Sequence, residues 1–141
     1  MIDINLYEAK RSGKDPRFCS EEKGCVHLGI NSDKNWCRHF RVDGGVYPRG
    51  QAEKRCDFLL LNDDKKDAYF IELKGSDLNQ AILQVENTVE DIRRSISEYR
   101  ILRRIIYKSG THDIRSSSVT KWKSKYKGSA VVKQKRMEEK I

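Results

Sequence analysis

At 141 residues, 35% charged and 37% hydrophobic, the chain fits one compact domain spanning 1–141, and its apolar runs stop at about four residues where a membrane helix needs roughly 20. Lys and Arg outnumber Asp and Glu by 29 to 21, so the surface field favours a polyanion over a lipid core or a basic partner. Nothing reads as an export signal, and a soluble, cytoplasmic protein with no membrane partner is expected.

Residues 1–38 mix Gly, Asn, Asp, Ser and charge with no sustained period, and apart from a short helix around Ile4 to Arg11 this region reads as poorly organised. It carries most of the thiols. Cys19, Cys25, Cys37 and Cys56 are expected to stay reduced in the cytoplasm. Cys19, Cys25 and Cys37 together with His27 and His39 supply enough sulfur and nitrogen for a tetrahedral zinc, although their spacing departs from the usual Cys and His pairs.

From His39 the pattern sharpens. His39 to Val42 alternates, Asp43-Gly44-Gly45 is a turn, and Cys56 to Leu61 is a short apolar run, which together predict two antiparallel strands. Asn62 to Lys66 is a polar turn, and Ala68 to Lys74 is rich in aromatic and β-branched residues, a third strand of the same meander. Gly75-Ser76-Asp77 then breaks the strand and offers a helix cap. Leu78, Ile82, Val85, Val89, Ile92, Ile96 and Tyr99 recur at steps of four and three, an amphipathic helix that must pack across the meander. Arg104 to Lys108 predicts a fourth strand, Val119 to Lys127 a second helix, and Ala130 to Lys135 a fifth strand. The order is βββαβαβ, an α/β class with a central sheet flanked by helices.

Side chains alternate along a strand, so Phe70, Glu72 and Lys74 share one face of the third strand. Asp57 opens the preceding strand, which runs back beside the third, so the topology carries Asp57 toward Glu72. Two neighbouring carboxylates raise each other's pKa unless a cation lies between them. Magnesium or manganese suits such a site, and Lys74 would orient a water or stabilise charge building on a phosphate. These parts describe phosphodiester hydrolysis.

Cys56-Asp57, fourteen intervening residues and then Glu72-Leu73-Lys74, inside a βββα order, resembles the PD-(D/E)XK, or restriction-endonuclease-like, nuclease superfamily. The likeness covers about residues 39–135. It implies a mixed central sheet, a Mg2+ or Mn2+ held by Asp57, Glu72 and the backbone carbonyl of Leu73, Lys74 as the catalytic lysine, and DNA as the substrate. Gln84 falls where some members place a helix glutamine, ahead of Gln80. Cys56 stands in place of the signature proline. Many members carry a further acid, for which Glu8, Glu21, Glu22 and Glu53 are all candidates here. In size and charge the chain is similar to small Holliday-junction resolvases, and double-strand cleavage would require a homodimer.

The basic segment 108–141 holds ten Lys or Arg against three Asp or Glu. Within it Lys121, Trp122, Lys123, Lys125, Tyr126 and Lys127 interleave cations with aromatics, a candidate contact for phosphates and unpaired bases. As a helix, the same stretch would bury Trp122 and Tyr126 and splay the lysines outward. Three alternatives stay open: an exposed strand that merely alternates Glu and Lys, a non-catalytic nucleic-acid-binding or protein-interaction module on the same fold, and a small zinc-binding adaptor.

Overall fold

The computed structural model describes residues 1–49, 54–109 and 116–141. A single 3₁₀ turn at Ile4–Leu6 precedes β1 (Arg11–Gly13), β2 (Arg17–Glu22), β3 (Cys25–Ile30), β4 (Cys37–Arg41), β5 (Phe58–Asn62) and β6 (Asp67–Lys74). Helix α1 (Leu78–Ile92) tightens into a 3₁₀ turn at Arg93–Ile96, and β7 (Arg100–Tyr107), α2 (Ser117–Lys125), β8 (Ala130–Gln134) and β9 (Arg136–Lys140) follow. Among the described residues no helix is long and apolar enough to cross a membrane.

The fold is mixed α/β. A six-stranded sheet runs β1-β4-β5-β6-β7-β8, antiparallel from β1 to β6 and parallel from β6 to β8. A three-stranded sheet runs β2-β3-β9, with β2 and β3 antiparallel and β9 parallel to β3. The crossover from β6 through α1 to β7 explains the change of direction, because parallel neighbours need a long connection and antiparallel ones do not.

Every residue of β5 is buried, so its alternation serves two faces. Leu59 and Leu61, with Phe70 of β6 and Ile105 of β7, pack under α1 and α2 through Val85, Val89, Ile92 and Trp122. Phe58 and Leu60, with Tyr69, Ile71 and Leu73, pack instead against the small sheet through Phe18, Cys25 and Ile141. The large sheet is thus the middle of three layers, and each large apolar side chain fully buried there contributes about 1.5–3 kcal/mol. Gly29 of β3 lets the outer layer close down, since a Cβ there would lie 3.0 Å from a Leu60 methyl and 3.2 Å from the Ile141 side chain.

The predicted order βββαβαβ corresponds to β4 through β8, with the meander and the helix across it as expected. The predicted disorganisation of residues 1–38 is corrected. They form β1, the β2–β3 hairpin and two-thirds of the outer sheet, and the expected helix at Ile4 to Arg11 is only the 3₁₀ turn. The hairpin escapes a periodicity search because its two-residue turn is Lys23-Gly24, both at positive φ (55° and 76°), rather than the usual Asn-Gly. Strand β9 was equally silent, since Met137 is its one apolar residue. It is held by its inward Glu139, which accepts hydrogen bonds from Arg104 and bonds His27 at 2.7 Å. Lys135, at φ 63°, joins β8 to β9: its N–H donates to Tyr107 O and its carbonyl accepts from Val26 N.

Candidate active site at the β5–β6 edge

Asp57 directly precedes β5, and the pairing of Phe58 with Ile71 carries on to set Asp57 across from Glu72. The Asp57 N–H donates to Ile71 O at 3.1 Å, and its Oδ2 accepts from Leu73 N at 2.9 Å. The carboxylate therefore occupies the place of the next ladder rung. Because N–H and C=O of one strand residue point the same way, the Leu73 carbonyl is turned to this edge as well.

Asp57 is held from behind. Its carbonyl accepts from Val42 N, and Cys56 N donates to Thr88 Oγ1 at 2.8 Å, which in turn donates to Gln84 O at 2.7 Å. Cysteine, unlike proline, keeps an N–H that must be satisfied in the core, and Thr88 on the buried face of α1 satisfies it. Thr88→Val should leave that N–H orphaned and cost about 1–3 kcal/mol of stability, read as a lowered midpoint in urea; an unchanged midpoint would show that the bond holds nothing in place.

Glu72 faces α1 with no solvent exposure, and among the described residues no donor reaches either carboxylate oxygen, the Asp57 carboxyl lying alongside. Burial, then the neighbouring Asp57, push its pKa well above the ordinary carboxylate range, against the pull of Lys74 and Lys23. Asp57 is 3% exposed, and burial followed by contact with Glu22 raises it to about 6, the Leu73 N–H opposing. Lys74 extends from the same face as Glu72, and its Nζ donates to Gln84 Oε1 at 2.6 Å. Gln84 Nε2 donates to the Arg55 carbonyl at 3.1 Å, so one α1 side chain spans from β6 to the segment before β5. Helix α1 can present Gln84 here because Asp77 caps it, accepting from Gln80 N, and because Ala81, Gln84 and Thr88 share the buried face.

The tip of the β2–β3 hairpin overhangs this edge. Cys25 Sγ donates to Lys74 O at 3.7 Å, and a Cβ on Gly24 would meet the Lys108 side chain at 3.7–3.9 Å. Glu22 accepts from Arg41 Nη2 at 2.7 Å, and its carboxylate also meets the Asp57 carboxyl. Against burial, the Asp57 contact and Arg41 hold Glu22 below the ordinary glutamate value. Of the candidate further acids, the fold brings Glu22 to Asp57. Glu8 and Glu21 are exposed, Glu21 on the opposite face of β2, and Glu53 lies outside the described residues. Lys23, Thr88 and Arg41 had no signal in the sequence, since a hairpin register and a helix phase place them.

The Cys/His set does not converge. His27 is bonded to Glu139, and His39 Nε2 lies 2.8 Å from Ser20 Oγ with its ring stacked on Phe58. Burial, then Lys10, lowers His39 to about 3, a neutral core imidazole. Cys25 and Cys37 are buried, burial and then Asp63 pushing Cys37 up to about 12, whereas Cys19 is exposed. Among the described residues no group of three or more His, Cys, Asp or Glu is placed to hold a metal, and the possible zinc reading gains no support: Cys25, His27, Cys37 and His39 all face the layer between the sheets, but Phe18, Phe58 and Tyr69 lie among them and each imidazole has its own partner.

Helix α2 likewise divides the basic-aromatic stretch. Trp122 is buried with Nε1 donating to Glu86 Oε2 at 3.1 Å, and the half-buried Tyr126 ring lies 3.5 Å beneath the Arg103 guanidinium. Trp122 is therefore a core residue rather than a platform for bases, while Lys121, Lys123, Lys125 and Lys127 are exposed. No family model, no curated protein and no solved structure matches this chain.

Proposed function

We propose that the chain is a Mg2+- or Mn2+-dependent nuclease that hydrolyses DNA phosphodiester bonds on a restriction-endonuclease-like core. The observation that carries this reading is Glu72: a carboxylate sealed from water, with no donor to either oxygen among the described residues, opposite Asp57 and beside Lys74. Such a pair is costly as it stands, and a fold tolerates it where the spare oxygens serve a ligand. Two carboxylates and a backbone carbonyl, with waters filling the remaining positions, fit the oxygen preference of magnesium.

Asp57, Glu72 and the Leu73 carbonyl would hold the cation, which when bound supplies Lewis-acid stabilisation of a phosphoryl oxygen. Lys74 is aimed by Gln84, so its Nζ is positioned to orient a water or to donate to charge developing on the phosphate. Glu22 abuts Asp57 and is itself fixed by Arg41, which sets the direction in which Asp57 presents its oxygens. The α2 lysines provide sequence-independent attraction for the DNA backbone. A homodimer would supply the second site that cutting both strands needs.

Cleavage of supercoiled, linear, single-stranded and four-way-junction DNA tests the reading, with wild type beside Asp57→Asn. Wild type should cut with Mg2+ or Mn2+ and stop on chelation, while Asp57→Asn should bind the same DNA and lose at least about 100-fold in rate. Undiminished cleavage by the variant, or cleavage in EDTA, would remove the site from the chemistry.

A further inference from the structure

A concavity of about 500 Å³ lies away from the acidic edge, where β1 approaches the outer sheet. Lys10, Arg11, Arg17 and Arg136 surround it, over a floor that includes Leu28 and Cys19. The nearest carboxylates only partly offset these cations: Asp15 pairs with Arg11 at 3.0 Å and Glu138 with Arg136 at 3.4 Å. Among the described residues neither Lys10 nor Arg17 has an acidic partner, and both are exposed.

We propose that this groove holds successive backbone phosphates of a nucleic-acid strand. With Arg11 and Arg136 already paired to carboxylates, Lys10 and Arg17 supply the uncompensated charge, one beside each sheet, and phosphates repeating along a strand can meet them in turn. Lys10 on the groove's rim shares the buried Phe58 ring with Arg41. Lys10 Nζ lies 5.5 Å from the centroid of the Phe58 ring, the Arg41 guanidinium lies 4.8 Å from the same ring, and Arg41 bonds Glu22. The groove stands as a phosphate site whether or not the chain cuts the strand.

Cys19 reports occupancy directly, because it is the exposed thiol on the groove floor while Cys25, Cys37 and Cys56 are buried. Its alkylation by N-ethylmaleimide, followed by mass in EDTA, is compared without ligand, with a single-stranded DNA oligonucleotide and with inorganic tripolyphosphate. Oligonucleotide at ten times its Kd should slow the reaction about tenfold. Arg17→Ala/Arg136→Ala, both at exposed positions, should abolish that protection and flatten the slope of log affinity against log salt by about 1.4 for a single strand. Protection by tripolyphosphate alone would overturn the strand in favour of a small polyphosphate. No protection by either, or protection that survives the double variant, would overturn the groove as a phosphate site. Because nothing need be cut, these outcomes are independent of the cleavage assay.

Discussion

Glu72→Met is expected to stabilise the metal-free protein at neutral pH by about 1–3 kcal/mol while abolishing cleavage. The gain arises because Glu72 is sealed from water with no donor to either oxygen among the described residues, and methionine fills similar volume without asking for hydrogen bonds. The advantage depends on pH in a definite direction. The folded pKa of Glu72 lies above its unfolded value of 4.5, so between the two the folded chain binds more protons, and raising the pH through that window costs stability. Below the unfolded value both states are protonated, and the gap between variant and wild type should narrow. Thermal unfolding in EDTA reads it as a rise in Tm of about 3–10 °C at pH 7. Added Mg2+ should act oppositely: at 100 times its Kd it stabilises wild type by about 2.7 kcal/mol and leaves Glu72→Met unmoved. A variant less stable than wild type in EDTA at pH 7 would mean that Glu72 serves the fold rather than a ligand.

Lys74→Met should lower the cleavage rate by about 10²–10⁴-fold, the usual worth of a positioned proton donor or acceptor. The half-buried chain of Lys74 is replaced by a similar apolar one, so stability and DNA affinity should change little. Lys74→Arg sharpens the test, because a planar guanidinium cannot reproduce the compact ammonium that donates to Gln84 Oε1. Arginine should restore charge without restoring rate. Full activity in either variant would reassign the chemistry to another group.

Much of the site could be read before the fold was known, and for a local reason. Asp57, Glu72 and Lys74 lie on adjacent strands joined by a short turn, so alternation and one hairpin pairing suffice to bring them together. Gln84 is pointed to by the family resemblance alone, and α1 turns it to Lys74. Glu22 was one of four candidates, because its arrival depends on β2 and β3 folding over a sheet edge, a contact distant in sequence and unmarked by composition. The Cys/His series fails to converge for another reason: Cys25 with His27 and Cys37 with His39 share a face, but aromatic rings fill the layer among them and each imidazole has its own partner, Glu139 or Ser20. In α2 the alternation of lysine and aromatic residues suited either base stacking or core packing, and an acceptor on α1, Glu86, decided for the core.

The single left-handed residue between β8 and β9 carries a wider consequence. By bonding Tyr107 on one sheet and Val26 on the other, Lys135 rivets the middle layer to the outer one, and the strand it launches splints β3 along its length. The acid at the hairpin tip thus inherits its placement from the far end of the polypeptide. A nick at that corner would leave Asp57, Glu72 and Lys74 in register while unmooring Glu22, the acid that abuts Asp57.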